Sequence, residues 1–175
     1  LVELLFSPLT EGRAQETLYV APHGSLVRKF DYQEFTHEVR AFARGMGATN
    51  LKRGCRVALL CRNSIKAQAA AFANLLNGYV NVVIPLDAGL EETLKALSSS
   101  RSECLIVDSV ASAAPLLNHI SHLPQLRQVV VLDEAAFEKH PQILCANWKE
   151  LMERSQSQPD REGLLRQALT PDQEA

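Results

Sequence analysis

The sequence predicts an α/β domain: a mostly parallel sheet with helices on both faces and an N-terminal β-hairpin. Three observations carry this. First, residues 55–86 read strand, helix, strand: an apolar run from Cys55 to Cys61, an alanine-rich helical stretch, a single glycine at Gly78, and a β-branched run closed by Pro85. Two parallel strands need a crossover, and a helix is the usual one. Second, the short apolar runs 104–107 and 129–132 each stop at an acid, Asp108 and Asp133. Third, the strand-like stretches 17–20 and 26–30 flank a turn-rich segment that holds Pro22, Gly24 and Ser25, which is hairpin chemistry.

Taken in order, residues 1–8 read as the end of a helix or an irregular lead-in. His23 beside Gly24 reads as a hairpin tip. Asp31 is an N-cap, and Glu34 three residues later gives the form of a capping box. Tyr32, Phe35, Val39, Phe42, Ala43 and Met46 follow at helical spacing with one apolar stripe, and His37 falls on the solvent side. Glycines at 45 and 47 are expected to stop this helix. Ser64 caps the next helix, whose apolar face is Ile65, Ala69, Phe72, Ala73 and Leu76. Its small residues predict a close approach to the sheet and deeper burial than the first helix. Gly78 ends it, and the strand that follows is predicted to be a buried parallel strand.

Leu90, Leu94 and Leu97 mark a short helix ended by serines 98–100. Pro115 argues against a helix starting at Val110; with Ser112 as N-cap it would fall in the first turn, where its missing N–H costs little. Leu116, Leu117 and Ile120 then face inward. Residues 135–146 show no clear period and read as a loop. Trp148, Leu151 and Met152 suggest a last docking helix, residues 155–160 are linker-like, and Leu164, Leu165, Ala168 and Leu169 make a small amphipathic segment.

The bulk properties exclude several classes. The 175 residues are 46% hydrophobic and 22% charged, with net charge −2 and a pI near 6.2, so no nucleic-acid footprint is expected. No apolar run reaches the ~18 residues of a transmembrane helix. The apolar residues 1–6 are too few and uncharged for a signal peptide. With no initiating Met, the natural start is expected upstream. Cys55, Cys61, Cys104 and Cys145 form no C-x-x-C pair and lie mainly in strand-like runs, so they read as buried free thiols of an intracellular, cytoplasmic protein.

The search for chemistry returns little. There is no phosphate loop, no dinucleotide-binding glycine fingerprint and no nucleophile elbow. His119 and His122 could share a helix face, but two imidazoles lack the further ligands a zinc site needs. Asp108 and Asp133 end strands at the carboxyl edge of the sheet, where doubly wound folds place their sites; strand-terminal Asp is also ordinary turn chemistry. Asn63 and Ser64 lie at the same edge, either contacting a ligand or forming a turn and helix cap. These four residues are the sheet-edge candidates; no catalytic, cofactor-binding or metal residue is assigned.

Three stretches together resemble the N-terminal region of the AMP-forming adenylating ligases, which include acyl-CoA synthetases, aryl-CoA ligases and peptide-synthetase adenylation domains. Residues 30–35, with Phe30, Tyr32, Glu34 and Phe35, resemble the first core motif, an aromatic or Thr-Tyr followed by x-Glu-Leu. Residues 51–59 resemble the "Gly-Asp-Arg-Val-Ala" strand, with Asn63 and Ser64 at the usual Asn-Ser after it. Residues 75–86 resemble the second core motif, a leucine, Lys-Ala-Gly, an apolar strand and Val-Pro. Two departures stand out: Cys55 replaces the usual Asp, and Asn77 the usual Ala before Gly78. The resemblance runs from about Tyr19 to Ala175.

That resemblance implies ATP- and Mg2+-dependent activation of a carboxylic acid to an acyl-adenylate, then transfer to CoA or a carrier thiol. Residues 170–175 resemble the segment just before the family's phosphate loop, so the groups that neutralise phosphate are expected outside this chain. The division expected is an N-terminal α/β subdomain over residues 1–154 and, over 155–175, a linker leading to the remainder of the same polypeptide. A non-catalytic α/β binding or interaction module is the alternative. A third reading is an unrelated small-molecule binder that uses the Asp108 and Asp133 edge.

Overall fold

The computed structural model describes residues 2–23, 26–135 and 140–157. Residues 158–160 of the linker-like stretch, the segment around Leu164 and the polar end of the chain lie outside the described residues. The lead-in is a helix, α1 (Val2–Thr10). β1 (Thr17–His23) and β2 (Leu26–Asp31) pair antiparallel with Val20 opposite Lys29, as the hairpin pattern predicts. Gly24 and Ser25, the expected turn, lie outside the described residues.

α2 (Tyr32–Gly47) begins on the predicted capping box: the Glu34 N–H donates to Asp31 Oδ1 at 2.7 Å, and the Asp31 N–H donates back to Glu34 Oε2 at 3.3 Å. Its glycines do not stop it. The C-cap is Ala48 in a right-handed conformation, and the left-handed residue is Asn50, φ 59°. Gly45 has another use: a Cβ there would strike the Leu151 carbonyl oxygen and lie 3.0 Å from Leu151 C. Glycine is required because α6 (Trp148–Gln156) runs hard against this turn.

The βαβ unit forms as predicted from β3 (Arg56–Leu60), α3 (Ile65–Leu76) and β4 (Val80–Val83), with β3 and β4 parallel. Gly78 takes φ +71°, the Gly78 N–H donates to Leu75 O at 3.0 Å and the Tyr79 N–H to Asn74 O at 2.8 Å. That is a Schellman stop, and it needs a residue without a Cβ penalty. The small residues of α3 are buried as expected, Ala69, Ala70 and Ala73 fully so, but α2 is buried as deeply along its stripe: Phe35, Val39, Phe42 and Met46 are fully buried, whereas Phe72 and Ile65 of α3 are half-buried. α2 lies between α3 and α6, stacking Phe42 on Trp148 at 4.9 Å, so it is covered on two sides. β4 is not a buried strand either. The sheet order is β4-β3-β5-β6-β7, which puts β4 on an edge.

α4 (Leu90–Ser100) leads into β5 (Cys104–Val107), fully buried. α5 runs Val110–Leu117 with Pro115 inside it, capped by Ser109, whose Oγ accepts from the Ser112 N–H at 3.3 Å. The cap was expected at Ser112; the earlier serine wins because it directly follows Asp108 at the strand end. Only two residues follow Pro115, so the helix ends before a kink could propagate. His119 and His122 bracket a separate 3₁₀ turn (Ile120–His122) rather than one α-helix face. β6 (Gln128–Val131) is followed by β7 (Leu144–Asn147), parallel to it. β7 lies in the stretch expected to be a loop; Leu-Cys-Ala-Asn lacks the β-branched residues that mark a strand. Asn147 then opens α6 with a second capping box to Glu150, and α6 continues through Gln156 with Ser155 buried, overlapping the linker-like composition.

Residues alternate between two apolar layers. Val57, Leu59, Cys104, Ile106 and Val130 face α2, α3 and α6, while Ala58, Leu105, Val107, Val129 and Val131 face α4 and α5. Helices therefore cover both faces, as a parallel sheet requires.

Candidate functional site

β3 pairs with β4 on one side and β5 on the other. The connection after β3 (through α3) lies on one face and that after β4 (through α4) on the other. The crevice beyond the carboxyl ends of β3 and β5 is thus the switch point where open α/β sheets bind ligands. Three of the sheet-edge candidates flank it. Asn63 and Ser64 follow β3, and Asp108 follows β5. Asp133, one strand further on, follows β6 and is joined to Asp108 through main chain, its N–H donating to Asp108 O at 3.0 Å.

Each of these side chains has a local partner. Asp108 Oδ2 accepts from the Arg62 main-chain N–H at 2.8 Å and from Arg62 Nε at 3.2 Å, tying the end of β5 to the turn after β3. Ser64 Oγ accepts from the Ala67 N–H at 3.1 Å, capping α3. Asn63 Oδ1 accepts from Gln68 Nε2 at 2.9 Å. Asp133 Oδ1 accepts from the Ala135 N–H at 3.2 Å, a two-residue turn.

Residues that pattern reasoning left out complete the edge. Lys66, in the first turn of α3, donates to Glu134 Oε1 at 2.9 Å and to Leu132 O at 3.3 Å, with its ammonium 5.1 Å from the centre of the Trp148 ring. The Lys66 bond draws the Glu134 carboxyl below its ordinary range. Asn147 Nδ2 lies 3.4 Å from the carbonyl oxygens of Glu134 and Ala135. The Asn-x-x-Glu spacing of 147 and 150 was the available signal for the end of β7. Cys61 is half-buried, donates weakly to Ile106 O at 3.2 Å, and is pushed up to about 12 by burial and then by Asp108. It is an inert thiol.

Elsewhere, a depression of about 400 Å³ lies between β2 and α2, lined by Arg28, Phe30, Asp31, Glu34, His37 and Glu38. Burial raises the Glu38 carboxyl, against the pull of His37, Lys66 and Arg28. His37 itself is exposed, as expected. The His119 and His122 rings sit 5.8 Å apart edge to face, and no group of three or more His, Cys, Asp or Glu that could hold a metal occurs among the described residues. The edge carboxylates of Asp108, Asp133 and Glu134 are each engaged by a neighbour, and no chemical step is assigned to them.

The family model described as "AMP-binding enzyme" matches residues 11–167. The chain belongs to this AMP-binding enzyme family. No curated protein matches. Solved structures agree with the family's fold. Coronafacic acid ligase from Pectobacterium brasiliense is 20% identical with a TM-score of 0.72, over 92% of this chain and 30% of its own. The anthranilate CoA ligase AuaEII, solved with anthranoyl-AMP, is 22% identical with a TM-score of 0.71, over 91% of this chain and 28% of its own. The adenylation domain of a carboxylate reductase from Mycobacterium chelonae is 15% identical with a TM-score of 0.68, over 90% of this chain and 29% of its own. This member of the family therefore spans under a third of the length of these three structures. No helix among the described residues is long and apolar enough to cross a membrane.

Proposed function

We propose that this chain is the N-terminal scaffold of an ATP-dependent carboxylic acid–thiol ligase, which forms an acyl-adenylate and passes the acyl group to CoA or a carrier thiol. The observation that carries this reading is the family match over residues 11–167, supported by a fold similar to that of solved acid-activating ligases. ATP, Mg2+ and the acid are then held by the remainder of the same polypeptide. The scaffold sets the sheet edge against which that remainder is placed.

This division of labour fits the chemistry of the edge. Adenylation develops negative charge on the phosphates, and catalysis comes from groups preorganised to meet that charge. The edge of this chain instead carries Asp108, Asp133 and Glu134, each held by a neighbour. The chain alone is inactive in this reading. The test is ATP–pyrophosphate exchange by the full gene product with a panel of carboxylic acids, followed by acyl transfer to CoA. Acid-dependent exchange is expected; exchange with no acid in the panel, from a protein whose fold is intact, overturns the reading in favour of a non-catalytic α/β module.

A further inference from the structure

Asn77–Gly78 is the one Asn-Gly pair in the sequence. Such a pair carries its own reactants: the glycine main-chain nitrogen attacks the asparagine Cγ, and no Cβ on the glycine stands in the way. Here the pair sits, half-buried, where α2, α3 and the loop before β3 meet, and the fold holds each reacting group. The leaving group, Asn77 Nδ2, donates across to Ala43 O of α2 at 2.9 Å. The attacking nitrogen of Gly78 donates to Leu75 O at 3.0 Å, and Gly78 O accepts from the Gly54 N–H at 2.7 Å. The Arg53 side chain lies against Gly78, its Nε 3.1 Å from the place of a Cβ. Asn77 has ψ 0°. A five-membered ring needs Cβ and the Gly78 nitrogen eclipsed about the Cα–C bond. Substituents on Cα stand about 120° apart in projection, so ψ must turn by roughly that much before the ring can close. That rotation breaks the Gly78–Leu75 bond and pulls Gly78 away from Gly54. The native turn therefore cannot cyclise.

We propose that Asn77–Gly78 is a self-modification site gated by the fold: it deamidates only when the end of α3 opens away from α2, and the acid left at position 77 hinders reclosure. Gly78 N forms a bond to Asn77 Cγ, the Cγ–Nδ2 bond breaks, and the Gly78 amide proton leaves with Nδ2 as ammonia. Water then adds to one carbonyl of the succinimide and opens the ring. Its hydroxyl stays on that carbon and its proton returns to Gly78 N, leaving aspartate or isoaspartate at position 77. No oxidant or reductant takes part. A carboxylate cannot donate to Ala43 O, so the tie between α3 and α2 is lost. The new negative charge also stands at the C-terminal end of α3, where the helix dipole disfavours it. The chemistry uses only groups on residues 43–78 and stands apart from the ligase reading.

Peptide mass mapping of the full gene product, aged in mildly alkaline buffer with and without denaturant, tests it. Trypsin cuts after Lys66 and Lys95, so one peptide carries Asn77 together with Asn74 and Asn81 as internal controls. In denaturant, Asn77 is expected to convert roughly tenfold or more faster than either control, because only its successor lacks a Cβ. In the native protein its conversion should be roughly 100-fold or more slower than in denaturant, set by how often the turn opens. Gly78→Ala should suppress conversion in denaturant by roughly tenfold, a readout that needs no folded protein. Asn77→Asp should lower the unfolding midpoint by about 2 °C or more beyond Asn77→Ala, which removes the bond without adding charge. No preference for Asn77 in denaturant overturns the site. Equal rates at Asn77 in native and denatured protein overturn the gate. An Asn77→Asp protein as stable as Asn77→Ala overturns the hindered reclosure.

Discussion

At Gly45 the main chains of α2 and α6 come so close that an added Cβ would meet the Leu151 carbonyl and lie 3.2 Å from Leu151 Cβ. Backbone cannot move aside as a flexible side chain can. Gly45→Ala is therefore expected to cost roughly 2–3 kcal/mol and to lower the midpoint by about 5–10 °C, followed by the fluorescence of Trp148, the single tryptophan of this chain. The glycine was visible in the sequence, but its role was not. A helix stop and a close crossing leave the same letter, and only the partner 106 positions later tells them apart. Glu38 makes a second test. Burial raises its carboxyl, so the folded state holds the proton more tightly than the unfolded state. Its contribution to stability is complete below the unfolded value and is lost as pH rises through the folded value. Glu38→Gln should thus raise the midpoint by about 1–2 °C at neutral pH and leave it unchanged in acid; equal shifts at both pH values would refute this.

The helices declared themselves through their first turns. Asp31 with Glu34, and Ser64 alone, mark their starts in the sequence, and both caps are made. Ser64→Ala should cost about 1 kcal/mol, a fall of about 2–4 °C, and Ser64→Asp should recover most of it; loss in both variants would point to a role beyond the cap. Strands were legible where β-branched residues cluster, as in β5 and β6, and missed at β7, whose four residues carry no such signal. The position of a strand in the sheet was not legible at all. β4 has the composition of a central strand and sits at the edge, because composition reports what a strand will bury once its neighbours are present and not whether this chain supplies them.

At the scale of the molecule, three of the four cysteines test the fold as a unit. Burial holds Cys55 up to about 11, Cys61 up to about 12, and Cys104 well above its ordinary value of 9.0. At pH 8 a thiol reagent should label none of these three in the native state and all of them in denaturant. The sign for stability follows: unfolded thiols release protons from about pH 9 upward while the folded ones keep theirs, so stability falls across pH 9 to 11. A flat unfolding profile in that range would contradict it. The candidate site was legible only as an edge. The acid after each strand could be located, but which neighbour it engages depends on the spacing between strands, as Arg62 and Asp108 show across 46 positions. The stacking of Phe42 on Trp148 also bears on how the protein is made. α2 leaves the ribosome about a hundred residues before the helix that covers it. During that interval Phe42 and Met46 have no native cover on that side, so the nascent chain carries an apolar helix face that a chaperone must shield or α3 must hold until Leu151 emerges.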